Sequence, residues 1–330
     1  MMRSIWYEQG GAAEDVLQLG ENDLPEPREG EVRVRVAYSA VNPFDIKKRT
    51  NGRDLATWQR IVPHTDGSGE IDKVGAGIVD RRVGQRVWLF GAQVGQAQGS
   101  CAEYCVVPSW KAIDLPDGVA LEHGACLGIP FVTALESLSA AGLLEGKTVL
   151  VSGGAGRVGA YAVQIAKLQG ARVIATASKS KCADVEQLGA DACVDYRDPD
   201  LELRLRSYAG KHGFDLVVEP RFGNNVAMNA RILARKGVIA AYGVDDDSAP
   251  TMPVARLVTK NASCRFVGIF GLSRTNLQTH FERVHELAGD RKLRHRIGLE
   301  ASLAETPQIH QKVQDGSVEG AALIRLSEAQ

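Results

Sequence analysis

The chain has 330 residues, of which 44% are hydrophobic and 24% charged, values typical of a globular protein with about two domains. Its 39 basic and 40 acidic side chains give a formal net charge of −1, so no positive surplus favours nucleic acid or an anionic membrane. Glu8 precedes any apolar run, and no stretch approaches the roughly 20 apolar residues of a membrane span. We therefore expect neither a signal peptide nor a membrane helix, and a cytoplasmic location.

The first third of the chain is predicted to be rich in strands. Residues 31–38 alternate between apolar and polar side chains with a period of two, which predicts a half-buried strand. Short strands punctuated by glycines are predicted at 67–77 and 83–89. A glycine-rich, strand-rich segment of this length indicates a small barrel-like domain.

From about Leu138 onward, the patterns of strands and helices alternate. Helical spacing is found at 158–169 and 183–188, each ended by a glycine, between short apolar runs. The six predicted strands are 147–151, 172–176, 192–194, 214–218, 238–242 and 265–270. This alternation predicts a doubly wound parallel sheet, of the α/β class. Two further helices, 277–288 and 303–314, precede a terminal strand at 321–326.

A glycine-rich turn lies between the first strand and the first helix of this alternation. Gly154, Gly156 and Gly159 form the pattern G-x-G-x-x-G. In a dinucleotide site these glycines allow a tight turn, close approach of a pyrophosphate and close packing of helix on strand. The alternative is a turn that serves only the backbone. The expected cofactor contacts of this turn are Gly154, Ala155, Gly156, Arg157 and Val158.

The end of the second strand selects the nucleotide. An NAD site places Asp or Glu there to bind the ribose 2′-hydroxyl, but residues 176–181 read TASKSK and contain no acid. Hydroxyl and ammonium groups from Ser178, Lys179 and Lys181 would instead bind a 2′-phosphate. The sequence therefore favours NADPH, unless the lysines merely form a solvated start to the next helix.

Several segments together resemble one known family. They are residues 30–36, 41–45, 66–69, 83–87, 102–104 and 127–134. They are similar to the zeta-crystallin-like NADPH:quinone oxidoreductases, the zinc-free branch of the medium-chain dehydrogenase/reductase superfamily. The resemblance implies a GroES-like β-rich catalytic domain built from both chain ends, residues 1–124 and 271–330. A Rossmann NADPH-binding domain, 125–270, would lie between them, and likeness to the family also implies a homodimer, which we expect to form through the strand at 265–270.

The resemblance also assigns cofactor contacts. It implies that Thr133 lies near the nicotinamide ribose and that Lys181 and Tyr196 hold the 2′-phosphate, assisted by Ser178. Gly243 and Phe270 complete the expected cofactor contacts. As an alternative, Tyr196 is an ordinary aromatic residue at the edge of the sheet.

The expected catalytic residues lie within one short segment. The resemblance places Asn42 near the nicotinamide and the substrate oxygen, with Asp45 and Lys47 as further catalytic candidates. Asn42 and Asp45 have structural alternatives, capping a turn before Pro43 and capping a helix, respectively. Lys47 and Arg53 stand roughly where related quinone reductases often carry tyrosines, and would make the site receptive to an anionic substrate.

Catalytic zinc is not expected. Asn42 and Thr65 stand where zinc-dependent relatives carry a cysteine and a histidine, and His64 is displaced by one residue, which on a strand would point it to the opposite face. The only close cysteine pair, Cys101 and Cys105, has no second pair to complete a structural zinc site, so we expect the cysteines to be reduced thiols.

The expected reaction is hydride transfer from NADPH to a quinone, with the proton supplied by water in the absence of an evident protein acid. The alternative is reduction of the double bond of an α,β-unsaturated carbonyl or enoyl thioester. A third possibility, from a different class, is a nucleotide-binding or RNA-binding protein without catalysis.

Overall fold

The structure, a computed structural model, describes residues 1–243, 249–289 and 293–326. The strands are β1 (Met2–Trp6), β2 (Gln18–Asn22), β3 (Glu31–Val41), β4 (Asp66–Val74), β5 (Arg86–Leu89), β6 (Tyr104–Pro108), β7 (Ala112–Asp114), β8 (Thr148–Val151), β9 (Arg172–Ala177), β10 (Ala192–Asp195), β11 (Phe214–Glu219), β12 (Leu233–Ala241), β13 (Ser263–Phe266), β14 (Ile297–Ser302) and β15 (Ala321–Arg325). The α-helices are α1 (Ala13–Val16), α2 (Pro43–Thr50), α3 (Leu121–Gly124), α4 (Ile129–Ser139), α5 (Arg157–Leu168), α6 (Cys182–Gln187), α7 (Leu201–Ala209), α8 (Phe222–Ile232), α9 (Val254–Lys260), α10 (Arg274–Gly289) and α11 (Thr306–Gln314). Short 3₁₀ turns lie at Ser109–Lys111, Lys179–Lys181, Ile269–Gly271 and Leu303–Glu305. In this described part of the chain, no helix is both long and apolar enough to cross a membrane.

The contacts between residues divide the chain into two units. The terminal unit contains Met1–Ile129 and Phe281–Gln330, and the central unit contains Pro130–His280. These boundaries fall slightly later in the sequence than those expected at 124/125 and 270/271.

The central unit is built on a parallel sheet with the strand order β10-β9-β8-β11-β12-β13. Val149, Leu150 and Val151 in β8 have no exposed surface, as expected for a parallel strand covered on both faces. From β8 the strand order runs outward in both directions, so the predicted doubly wound sheet is confirmed. The crevice where the order reverses lies between β8 and β11, at their carboxyl ends.

The terminal unit is mostly antiparallel, with the strand path β14-β15-β3-β4-β5-β7 and β6 also paired with β3. β3 pairs with β15, β4 and β6. β15 comes from the carboxyl-terminal part of the chain, and its Ala322 lies opposite Val41 of β3. Both chain ends therefore build this unit. The predicted contribution of the terminal strand is therefore confirmed.

The prediction of a half-buried strand at 31–38 is confirmed at Arg35, which is exposed, but is wrong at Arg33. Val34 and Val36 are fully buried, as predicted, but Arg33 is also only 7% exposed. Its guanidinium Nη2 lies 2.8 Å from Asp72 Oδ2 on β4. Because this charge is paired, Arg33 can be buried although Arg35 on the same strand is exposed, and the alternation of residue types does not reveal that.

Two predicted strand ends are also wrong. The strand predicted at 265–270 is β13, Ser263–Phe266, and Phe270 lies in the following 3₁₀ turn. The strand predicted at 83–89 begins only at Arg86, because Gly84 has a φ of +82° and forms the preceding turn.

Candidate active site

The glycine-rich turn follows β8 and is held against the end of β9. The Gly154 N–H donates to the Thr176 carbonyl at 2.7 Å, and Gly153, the residue before it, has a φ of +69°. A Cβ at Gly159 would lie 2.2 Å from the Gly153 carbonyl oxygen. The turn and the first turn of α5 therefore pack so closely that only glycine fits at position 159.

The start of α5 fits the pyrophosphate of a dinucleotide. Gly156 is the N-cap and offers no side chain to the N–H groups of the first turn. Gly156 is exposed, and the expected contacts Ala155, Arg157 and Val158 are partly exposed. The backbone at this turn therefore presents N–H groups of a helix N-terminus to an anion, as a nicotinamide dinucleotide requires.

Glu219, at the end of β11, organises the same crevice and was not foreseen from the sequence. Its carboxylate is fully buried and accepts from Ser152 Oγ at 3.0 Å and the Arg221 N–H at 2.7 Å. The side-chain amides of Asn225 and Asn229 donate to it at 3.0 and 2.8 Å. Glu219 thus ties the first residue of the glycine-rich turn to α8. In the sequence, Glu219 is only an acidic residue that ends an apolar strand, and this pattern is compatible with many other roles.

The residues expected at the 2′-phosphate come together at the ends of β9 and β10. Asp195 lies opposite Ala177, and the Tyr196 N–H donates to the Ala177 carbonyl at 3.1 Å. Ser178 follows directly, and its carbonyl accepts the Lys181 N–H at 2.8 Å. The backbone thus gathers Ser178, Lys181 and Tyr196 around the end of β9, which carries no acid. The acid that ends β10, Asp195, accepts the Arg197 N–H at 3.0 Å.

The other expected cofactor contacts lie elsewhere in the central unit. Thr133 is buried in α4, and its carbonyl accepts Ser137 Oγ at 2.7 Å. Gly243 follows β12, where a Cβ would lie 2.2 Å from the Pro220 carbonyl oxygen, so a larger residue would displace the end of β11. Phe270 is partly exposed in its 3₁₀ turn.

In the terminal unit, Asn42 joins β3 to α2 and is held by a buried carboxylate. Its Nδ2 donates to Asp66 Oδ2 at 2.9 Å, and the Ile129 N–H donates to the same oxygen at 2.8 Å. A carboxylate accepts hydrogen bonds, so the Asn42 nitrogen must face Asp66 and the amide oxygen must point away. A Cβ at Gly128 would lie 2.1 Å from Asp66 Oδ1, so the carboxylate also requires glycine there. Asp66 was part of the family resemblance, but its contact with Asn42 was not foreseen.

Asp45 has the geometry of a helix cap. Its Oδ2 accepts the backbone N–H of Asn42 at 2.8 Å and its Oδ1 accepts Thr65 Oγ1 at 2.9 Å. Asp45 is 2% exposed, whereas Lys47, on the same helix, is exposed. The contacts fit the capping alternative, and a catalytic part for Asp45 or Lys47 stays a prediction.

His64 does not lie on a strand, contrary to expectation. It precedes β4 with a φ of +78°, and its Nε2 lies 2.8 Å from Nε2 of His310 on α11. Its Nδ1 hydrogen-bonds Ser39 Oγ at 2.8 Å. Burial lowers the pKa of His64 to about 3 and that of His310 well below its usual value, so both rings are neutral. Within residues 1–243, 249–289 and 293–326, no group of three or more His, Cys, Asp or Glu side chains is arranged to hold a metal ion.

Comparison with known proteins places the chain in a family. Residues 28–117 match the family model "Alcohol dehydrogenase GroES-like domain", and residues 158–288 match "Zinc-binding dehydrogenase". The "Quinone oxidoreductase-like protein 2 homolog" of Nematostella vectensis is 31% identical over 73% of this chain, a match that spans 65% of that relative. The "Chloroplast envelope quinone oxidoreductase homolog" of Arabidopsis thaliana is 32% identical over 66% of this chain and 68% of its own length. The chain belongs to the quinone oxidoreductase family.

The chain therefore has the predicted fold class, a Rossmann sheet with a GroES-like domain built from both chain ends. The solved structure of the quinone oxidoreductase from Coxiella burnetii matches it with a TM-score of 0.84 and 26% identity, covering 99% of both chains. The "2-methylene-furan-3-one reductase" of Solanum lycopersicum is 34% identical over 61% of this chain and 54% of that relative. The chain is thus an oxidoreductase of the medium-chain superfamily, with a fold that binds nicotinamide dinucleotides.

Proposed function

We propose that this chain is an NADPH-dependent, zinc-independent reductase that delivers a hydride to a quinone. The observation that carries the proposal is the Asn42 amide, held by the Asp66 carboxylate at the position where zinc-dependent relatives have a metal ligand. Relatives named quinone oxidoreductases support the choice of acceptor. One family model that matches this chain is named for zinc binding, but it covers residues 158–288 only. Asn42 and Thr65, the positions where zinc-dependent relatives carry metal ligands, lie outside that range.

The central unit would hold the cofactor. The N–H groups at the start of α5 would bind the pyrophosphate, and Ser178, Lys181 and Tyr196 would bind the 2′-phosphate. Thr133, Gly243 and Phe270 would contact the remainder of the nucleotide. When bound, NADPH supplies the hydride.

In the terminal unit, Asn42 would orient the acceptor. Asp66 takes one hydrogen of the Asn42 Nδ2, and we assign the other hydrogen to the oxygen of the substrate. An amide does not titrate near neutral pH, so Asn42 stabilises developing negative charge on that oxygen without transferring a proton. Water supplies the proton in this scheme.

A second candidate is reduction of a carbon–carbon double bond conjugated to a carbonyl. The similarity to the tomato 2-methylene-furan-3-one reductase favours it. The same Asn42 donor would bind the carbonyl oxygen of an enone or enoyl thioester, and the hydride would go to the β-carbon.

The two functions are separated by the rate of NADPH consumption against a panel of quinones, enones and enoyl thioesters. We expect quinones to be reduced fastest and chelator treatment to leave the rate unchanged, with zinc well below one atom per chain by elemental analysis. Faster turnover of an enone would establish the second candidate instead. Stoichiometric zinc that is lost together with activity would overturn the zinc-independent mechanism.

We also propose a cytoplasmic homodimer. β13 is an edge strand of the central sheet, paired with β12 among the described strands, and its Phe266 side chain is 68% exposed. Pairing two such edges across a two-fold axis would cover both.

A further inference from the structure

Two cysteines lie beside the residues expected to bind the 2′-phosphate. Cys182 directly follows Lys181 and begins α6, and Cys193 lies in β10 shortly before Tyr196. Both are free thiols with partial exposure, whereas the three cysteines of the terminal unit are buried. A solvent-borne reagent can therefore reach this pair.

β10 turns Cys193 toward the face of the sheet that α6 covers. Ala192 and Val194 belong to the apolar cluster that contains Leu205 of α7. Because side chains alternate along a strand, Cys193 points to the opposite face. At the edge of β10, the Cys193 N–H donates to Glu186 Oε1 of α6 at 3.1 Å, which fixes this helix against the strand.

The same geometry brings the two sulfurs together. Cys182 and Glu186 are four residues apart on α6 and share one face of the helix. The side chain of Cys182 lies close enough to Cys193 to raise the pKa of the Cys193 thiol. Burial is the larger cause of this rise, and the Cys193 thiol therefore keeps its proton.

We propose that Cys182 and Cys193 form a redox-active dithiol, which hydrogen peroxide converts to a disulfide that weakens NADPH binding. The second half of this proposal rests on the proposed use of NADPH. The Cys182 sulfur attacks one peroxide oxygen, the O–O bond breaks, and a sulfenic acid and water form. The Cys193 sulfur then attacks the sulfenic sulfur, and its proton leaves with the hydroxyl as a second water. The two thiols lose two electrons and two protons, which the peroxide accepts.

The disulfide would act on the phosphate site through its position. An S–S bond is about 2.05 Å long, much shorter than the closest approach of two sulfurs that are not bonded. We expect its formation to draw the first turn of α6 toward β10. Lys181 precedes that turn and Tyr196 follows that strand, so their relative placement changes. Charge-assisted hydrogen bonds to a phosphate need donor distances of about 2.7–2.9 Å and are weakened by such a shift.

Peptide mapping tests the dithiol itself, without nucleotide. The full reduced chain is treated with hydrogen peroxide, alkylated and digested. We expect a cross-linked peptide that contains Cys182 and Cys193, lighter by two hydrogens and cleaved by dithiothreitol. Cys182→Ser and Cys193→Ser should each abolish it, and Cys264→Ser, which removes a partly exposed thiol elsewhere in the central unit, should not. Unchanged thiols, or separate sulfinic acids at the two positions, would overturn the proposal.

Calorimetry on reduced and oxidised protein tests the effect on nucleotide binding. We expect oxidation to weaken NADPH binding by about tenfold and NADH binding by less than about twofold, because NADH lacks the 2′-phosphate. Reduction should restore the affinity, and Cys182→Ser should be insensitive to peroxide. Equal NADPH affinity of the two forms would overturn the effect on binding. If the reduced protein does not prefer NADPH, the cofactor proposal fails and this half with it, while the peptide map still decides the dithiol.

Discussion

Two carboxylates hold Asn42, one through its backbone and the other through its side chain. Asp45 accepts its backbone N–H and fixes the start of α2, while Asp66 accepts its side-chain nitrogen and fixes the direction of the amide. Both carboxylates are almost completely buried. The Asn42 side chain also accepts the backbone N–H of Asp45 in a capping box, so it contacts both the start of α2 and Asp66.

Removal of the Asn42 amide should slow turnover and spare cofactor affinity. Loss of one donor to a developing oxyanion costs about 2.7–4 kcal/mol in well-studied sites, so Asn42→Ala should lower kcat by about two orders of magnitude. NADPH affinity should stay within severalfold. Asn42→Asp should be worse still, because its carboxylate would face both Asp66 and the developing charge. Near-normal turnover of Asn42→Asp, measured with the best acceptor, would mean that Asn42 only caps the turn.

Asp66 should act as a positioning residue through Asn42. Asp66→Asn replaces an obligate acceptor with an amide, so the Asn42 amide is no longer held in one direction. We expect kcat to fall about tenfold, as for loss of one charge-assisted hydrogen bond, with little change in NADPH affinity. The measurement is a double-mutant cycle on kcat. If Asp66 works through Asn42, then Asp66→Asn should change kcat little in the Asn42→Ala background. Additive effects would show that Asp66 acts elsewhere.

These carboxylates mark the limit of what the sequence could predict about the site. The glycine-rich turn was predictable from a local pattern that follows a strand, and Asn42 was predictable from the family resemblance. Asp66 meets Asn42 across 24 positions, and Glu219 meets Ser152 across 67. Contacts over such separations depend on how strands pair, and no local pattern of residue types encodes them.

At the scale of elements, the central sheet was the most predictable part of the chain. Its inner strands are covered on both faces and therefore appear as short apolar runs, and glycines end their helices. β3 was less predictable, because Arg33 is buried only by virtue of its pairing with Asp72 on another strand. The predicted strand ran on to Phe270, beyond the end of β13 at Phe266. An exposed edge strand has no short buried apolar run that marks where it ends.

The ends of β9 and β10 should decide the choice of nucleotide. Lys181→Ala should weaken NADPH binding by about tenfold or more, because a charge-assisted hydrogen bond to the 2′-phosphate contributes roughly 1.5–3 kcal/mol. NADH binding should be unchanged. Lys211→Ala is a matched control, since this exposed lysine precedes β11 at the opposite ends of the strands. Calorimetry on both variants is the measurement. Equal affinity of the unmodified protein for NADPH and NADH would contradict the prediction.

At the scale of the whole molecule, the terminal unit is joined from two distant parts of the chain. β15 pairs with β3, and His310 on α11 hydrogen-bonds His64 beside β4. The histidine pair is fully buried, and its rings lie 5.0 Å apart. Protonation of either ring would place a charge in the interior, and burial therefore favours the pair as two neutral rings.

This pair should make stability fall in mild acid. The pKa of His64 is about 3 in the folded chain and near 6.5 when unfolded, so the unfolded state takes up protons first. The stabilisation is fully present above about pH 6.5 and is lost as the pH falls toward 3, by up to about 1.4 kcal/mol per pH unit for each histidine. Urea unfolding at pH 7.5 and 5 measures it. His310→Asn should reduce the pH dependence, and the exposed His285→Asn should not. Equal pH dependence in all three proteins would contradict this origin.

The edge of the central sheet should hold two copies of the chain together. β13 exposes Phe266, and a free parallel edge would otherwise invite uncontrolled pairing. In a two-fold dimer the same strand from each copy pairs with the other, and both Phe266 side chains become buried. Light scattering at micromolar concentration should give the mass of a dimer, and Phe266→Glu should give a monomer, because a carboxylate there would be desolvated opposite its own copy. Leu203→Glu is the matched control, since Leu203 on α7 is also 68% exposed but lies away from β13. Unchanged NADPH binding by Phe266→Glu would show that the variant is folded, and a monomeric unmodified protein would rule out the dimer.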